Sequence, residues 1–240
     1  MLKNSESLLS LVQDHFEALR DQQKAREMAA YMKTEMPFYG IQKPDRIPVL
    51  KLIKRELPPG NQKEYLQAVK SLWSCPHREE KYLAIDYAVQ FGDYLDISTV
   101  PVFEGMVRDG AWWDFIDPIA SNIIGRILME DRSSMTSILY KWIEDEDFWI
   151  RRTAVLSQLK HKENTDSRML FQFCDTLKSE NEFFIRKAIG WALREYSYTE
   201  PALVMEYLNA NKDELSGLSY REGIKNLLRR GYSQDKAVKN

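Results

Sequence analysis

Apolar residues recur three and four positions apart nearly throughout the chain, and no run of strand length alternates apolar with polar. That period predicts an all-α protein. Breakers at Pro37 to Pro44, Pro58 to Gly60, Cys75 and Pro76, Gly92 to Asp96, Asp109 and Gly110, Asp131 to Ser134, Asn164 and Thr165, and Glu200 and Pro201 divide the pattern into segments of helix length. Roughly a dozen helices result, and links this short favour antiparallel neighbours, the geometry of helical hairpins.

A repeat lies inside this pattern. Phe148, Trp149, Ile150, Arg151 and Arg152 align with Phe183, Phe184, Ile185, Arg186 and Lys187, each set following an acidic turn and opening an amphipathic helix. Looser echoes occur at Trp112 and Trp113 and at His77 to Ala84. A period of about 35 residues with two helices per unit and no strands predicts an α-solenoid of stacked antiparallel helix pairs of the HEAT or armadillo kind, curved around a concave face. At 240 residues the expected organisation is one domain over 1–240. Its end, 221–240, is basic: Arg221, Lys225, Arg229, Arg230, Lys236 and Lys239 face only Glu222 and Asp235.

Composition narrows the function classes. With 44% apolar and 29% charged residues the chain is globular. Six Trp, twelve Tyr and ten Phe exceed the usual needs of a core this size, so some rings are candidates for a surface that binds something flat. Cys75 and Cys174 read as separate buried thiols, without disulfide density or metal spacing. No signal-peptide stretch and no run near the roughly 20 apolar residues of a membrane span are found, so the expected location is cytoplasmic. The net charge of −2 gives no global basic field, and nucleic-acid binding would need local clusters. The isolated glycines form no phosphate loop or nucleophile elbow, and His15, His77 and His161 are scattered, so neither a metal nor a cofactor is expected.

Three groups remain as candidates for chemistry. In the first, Trp113 and Asp117 are four apart and share a face if the segment is helical. Pro118 offers the alternative that Asp117 is an N-cap with proline at the first helical position. In the second, Trp149, Arg151 and Arg152 begin a helix. Either the tryptophan packs between repeats and an arginine is solvated, or the two arginines, which oppose the helix dipole there, answer to phosphate. In the third, Lys187, Trp191 and Arg194 form one helical stripe, a tryptophan between two cations suited to phosphates and sugar rings. Each alone is more often structural. Equivalent positions in a solenoid lie along one face, so Trp113, Asp117, Arg152 and Trp191 are expected to converge.

At these residues the sequence resembles the HEAT-like-repeat alkylpurine DNA glycosylases, the DNA alkylation repair enzymes of the AlkD type. The resemblance runs through Tyr31, Met32 and Lys33, then Phe38, Tyr39, Gly40, Ile41 and Gln42, then Trp112, Trp113, Asp114 and Asp117, then Trp149 with Arg152, and finally Ala188, Ile189, Gly190, Trp191, Leu193, Arg194, Glu195 and Tyr196. It implies a C-shaped solenoid that holds duplex DNA in a basic groove and hydrolyses the N-glycosidic bond of cationic lesions such as N3-methyladenine and N7-methylguanine. By the same resemblance Trp113 and Trp191 would cradle the deoxyribose, Asp117 would sit near the anomeric carbon, Arg152 would hold a phosphate and Tyr31 would border the groove. The helical stripe adds Lys187 and Arg194 to the DNA-contacting set. The expected partner is duplex DNA, engaged by a monomer without a membrane. The competing expectation is a non-catalytic helical-repeat scaffold, since a solenoid fold by itself implies only binding.

The residue types agree with that chemistry. Glycoside cleavage passes through an oxocarbenium-like state and ordinarily uses an acid for the leaving group beside a second carboxylate. A cationic alkylpurine leaves as a neutral base, so the acid is dispensable. One aspartate and indole faces then suffice.

Overall fold

A computed structural model describes residues 2–232, with side chains from residue 6 onward. Lys236, Lys239 and Asp235 of the basic end lie outside the described residues. The described part holds helices and turns and no strand. Fourteen α-helices run α1 (Leu2–Ala18), α2 (Gln22–Met32), α3 (Lys43–Glu56), α4 (Gln62–Trp73), α5 (Arg78–Gln90), α6 (Val100–Gly110), α7 (Trp113–Pro118), α8 (Gly125–Glu130), α9 (Arg132–Trp142), α10 (Phe148–Leu156), α11 (Ser167–Leu177), α12 (Phe183–Tyr196), α13 (Pro201–Ala210) and α14 (Gly217–Arg229).

The helix starts carry the repeat more clearly than the residues inside the helices. One series begins after Asn61, Asp96, Asp131, Asp166 and Glu200, the other after His77, Trp112, Asp147, Glu182 and Ser216. Within each series the step is 35 residues until the last, which is one shorter. The reason is local. The side chains of Asn61, Asp96, Asp131 and Asp166 each accept a backbone N–H of the turn they open, and so do Asp147, Glu182 and Ser216. A short polar acceptor at this position satisfies donors that the helix cannot. The result is an α-solenoid of helix pairs. Ser133 and Ser134, expected within a break, belong to the first turn of α9, and Asp131 alone makes the break and caps that helix.

The helices fall into two compact units, Met1–Val102 and Phe103–Asn240. In the first, α4 packs on α5 and α1, and α3 on α5 and α1, around Phe16, Ile53, Tyr65, Leu72, Leu83 and Tyr87, all with almost no exposure. The stretch Phe38 to Ile41 is held by Glu79, a fully buried carboxylate on α5 that accepts the backbone N–H groups of Tyr39, Gly40 and Ile41 at 3.0, 2.8 and 2.9 Å. Gly40 has φ +92, and a Cβ there would stand 2.1 Å from the Asp21 carbonyl oxygen. Only glycine fits such a place. This fixes the loop after α2, the helix that carries Tyr31.

In the second unit α12 packs on α14, α10 and α11, α10 on α7, α9 and the segment after α7, and α13 on α14. Phe115, Ile116, Ile119, Ile123, Leu139, Ile150, Phe173, Cys174, Ile185, Ile189 and Leu193 line its core. Both cysteines are buried thiols.

Candidate functional site

The segment bearing Asp117 is a helix with a change of winding. Trp112 is extended and caps α7, Ala111 before it has φ 38, and Trp113 opens the first turn. Asp117 therefore sits inside the helix, one turn beyond Trp113, and is not an N-cap. Pro118 lies within the helix and brings no N–H to the preceding turn. Over Ile119–Ile124 the chain winds as a π-helix, ending with the Gly125 N–H on the Ala120 carbonyl. Side chains take up carbonyls at the transition: Ser121 Oγ donates to Asp117 O at 2.8 Å and Asn122 Nδ2 to Pro118 O at 3.0 Å. Single π turns of this kind recur at functional sites. Proline at this point alters the winding after Asp117 and leaves the Trp113–Asp117 pairing along one face intact.

Asp117 is held by Arg152 from α10. The guanidinium Nε and Nη2 donate to Oδ1 and Oδ2 at 2.8 and 2.9 Å, and Nη1 donates to the Phe184 carbonyl at the start of α12. The guanidinium carbon stands 5.9 Å from the Phe184 ring centroid. Arg152 is 3% exposed and the Asp117 side chain 13%. Burial pushes the Asp117 carboxyl above the ordinary aspartate value, and the Arg152 hydrogen bonds and charge pull it partway back. The approach of α10 depends on Gly125, where a Cβ would stand 2.4 Å from the Ser157 carbonyl oxygen.

The two arginines at the start of α10 thus have internal partners. Arg151 donates from Nη1 to the carbonyls of Asp145 and Glu146 and pairs with Glu180. Arg186, one repeat later, does the same to the Glu180 carbonyl and the Asn181 side chain. The guanidinium charge is used in the turn that precedes the helix. Trp149, 5% exposed, packs against Trp112, Phe148 and Phe184 and is core.

On α12, Lys187, Trp191 and Arg194 share a stripe and are half-buried. Both cations bind one carboxylate that no sequence motif singled out. Glu222 of α14 accepts from Lys187 Nζ at 2.8 Å and Arg194 Nη1 at 2.5 Å, and Lys225 Nζ joins at 2.5 Å. The Lys187 and Lys225 hydrogen bonds hold Glu222 down at about 2. The Gly190 beside Trp191 explains the contact: a Cβ there would lie 2.5 Å from the Glu222 Cβ and 2.8 Å from the Ser219 carbonyl oxygen, so only glycine lets α14 approach this closely.

Asp117 and Arg152 are 35 residues apart, as are Lys187 and Glu222, and Arg152 and Lys187 complete the series. A fixed count of 35 from Lys187 reaches Glu222, the nearest thing to a signal for it, although the shorter last repeat puts Arg221 at the matching position. Phe184, whose carbonyl anchors Arg152, had no such signal, because a backbone acceptor leaves no trace in residue type. Tyr31 lies in the first unit on α2, 75% exposed. It borders a cavity of about 300 Å³ with Met28, Met32, Phe38 and Tyr82. Among the described residues no helix is long and apolar enough to cross a membrane, and no three His, Cys, Asp or Glu side chains are placed to hold a metal ion.

The chain is also similar to known proteins. Residues 12–227 match the family described as DNA alkylation repair enzyme. Among solved structures, a predicted DNA alkylation repair enzyme from Enterococcus faecalis is 33% identical and superposes with a TM-score of 0.79, covering 87% of this chain and 96% of that one. Among curated protein sequences none matches. A family match over nearly all of the chain, joined to a structural relative of nearly the same length, places the protein: it belongs to the DNA alkylation repair enzyme family.

Proposed function

We propose that the protein is a monofunctional DNA glycosylase that hydrolyses the N-glycosidic bond of cationic alkylated purines, N3-methyladenine and N7-methylguanine among them, in duplex DNA. The observation that carries this reading is the Asp117 carboxylate, mostly buried and gripped on both oxygens by Arg152, one helical turn from half-buried Trp113.

Each carboxylate oxygen accepts one hydrogen bond from Arg152 and keeps capacity for another. Asp117 can therefore face the anomeric carbon as positive charge develops there and accept a hydrogen bond from the attacking water. A preorganised charge in a poorly solvated place is worth most at that moment. The leaving base departs neutral and takes no proton from the protein, which accords with a site built on one carboxylate. Trp113 and Trp191 would offer indole faces to the cationic sugar. The Arg152 guanidinium has five N–H groups and commits three to Asp117 and Phe184. The remaining two are what it can give a backbone phosphate. Lys187, Arg194 and Tyr31 complete the DNA-contacting set, and the protein would act as a monomer.

The test is base release. The unaltered protein frees N7-methylguanine from methylated duplex DNA, and Asp117→Asn loses nearly all of that activity while keeping its helical circular dichroism. A variant that releases base at the original rate removes Asp117 from the mechanism. An unaltered protein that binds such DNA and releases nothing returns the chain to the scaffold reading.

A further inference from the structure

Glu222 gathers more positive charge than a structural ion pair requires. One cation would neutralise it, yet Lys187, Arg194 and Lys225 converge on its two oxygens. The carboxylate lies underneath, 7% exposed, while the three cations remain 40%, 26% and 46% exposed. Two of the three positive charges are left without a counter-charge within the cluster. Lys187 and Lys225 meet at the same oxygen, so their repulsion is accepted at a place where solvent alone would let them part. An ammonium carries three donors and a guanidinium five, and each group commits one to Glu222. What the cluster shows outward is hydrogen-bond donors on fixed stems. Trp191 lies between Lys187 and Arg194 on α12, and Glu222 stands 35 residues after Lys187 within the same unit.

We infer that Glu222 is a positioning residue, which gathers Lys187, Arg194 and Lys225 into a preformed clasp for a phosphodiester of the DNA next to Trp191. Lys225 thereby joins the binding set, and Gly190 is the residue that makes the clasp possible by letting α14 close on α12. The inference rests on the glycosylase reading for its ligand and adds to it the carboxylate through which the cations act.

The sign of one substitution separates positioning from masking. Glu222→Gln makes the protein one unit more positive and keeps the shape of the side chain. If Glu222 only shields the cations, duplex DNA binds the variant more tightly. If Glu222 positions them, binding weakens although positive charge has been gained, because the long side chains disperse. The measurement is fluorescence anisotropy of an unmodified duplex oligonucleotide across a salt series. The expected result is weakening by about fivefold or more in Glu222→Gln, the size of a lost coupling between neighbouring groups, with recovery towards the original affinity in Glu222→Asp. Equal or tighter binding in Glu222→Gln overturns the inference and leaves the glycosylase reading standing. Should Glu222→Gln fail to fold by circular dichroism, Lys225→Met takes its place. It lowers the slope of log affinity against log salt by about 0.9 if Lys225 meets a phosphate, and an unchanged slope overturns the inference. An unaltered protein that does not bind duplex DNA overturns both readings together.

Discussion

A carboxylate enclosed at 13% exposure survives as an anion only if something meets it, and Asp117 is met by both arms of Arg152. The balance of burial against that pairing still favours the proton more than in an exposed aspartate. If ionised Asp117 does the chemistry, the rate of base release falls on acidification through a limb that lies above the ordinary aspartate value of 3.8. Arg152→Met removes the group that pulls the carboxyl down, so the limb moves to higher pH. The same change leaves the buried carboxylate alone, at a cost of about 3–5 kcal/mol of stability. The cost is greatest near neutral pH. It shrinks as pH falls and Asp117 takes up a proton, because a group whose folded-state affinity for the proton is raised favours folding most when protonated. Chemical denaturation of the variant at several pH values, beside the rate profile, checks both statements. A stability difference independent of pH would disconnect the two residues.

The elements are set by polar caps at their starts and by glycines where they touch. Alternating series of Asn, Asp, Glu and Ser caps open the helices at the repeat spacing. Within the second unit two glycines decide how near the helices come, Gly125 below Ser157 and Gly190 below Glu222 and Ser219. Gly125→Ala puts a methyl carbon 2.4 Å from a backbone oxygen that cannot swing away. The helix pair must part, and overpacking of this kind costs about 1–3 kcal/mol. The urea midpoint reads the loss, and base release falls with it because α10 carries Arg152 to Asp117. A midpoint unchanged from the original would mean that the backbone accommodates the methyl group elsewhere.

At the scale of the whole molecule the charge is −2, and no long-range field draws the protein to DNA. Attraction has to come from local sets such as the cations over Glu222. Affinity for duplex DNA is accordingly expected to fall as salt rises from about 50 to about 200 mM, with a log–log slope set by the few phosphates actually met rather than by net charge. Anisotropy titrations at several salt concentrations give that slope, and an affinity insensitive to salt would exclude phosphate contacts as the source of binding. The same relation allows a protein of acidic composition to work on a polyanion, since the field that matters is the one within a Debye length of the site.

The apolar period and the recurring FWIRR-like start were enough to determine an all-helical solenoid of about 35-residue pairs, because both the helix pattern and its caps are local and leave residue types behind. The candidate residues Asp117, Arg152 and Lys187 were also marked, by charge placed near tryptophan at repeat-equivalent positions, and Arg194 by the stripe it shares with Trp191. Their partners were not. That Arg152 turns inward to Asp117 and the Phe184 carbonyl, that Arg151 answers to carbonyls of its own preceding turn, and that Glu222 draws Lys187 and Arg194 to itself are relations between residues 28 to 35 positions apart or between side chain and backbone. Composition and period cannot rank such pairings, since a cation on an amphipathic helix reads the same whether it faces water, phosphate or a buried carboxylate. Packing decided it: close approach at Gly125 and Gly190 set which charges meet, and desolvation made those meetings obligatory.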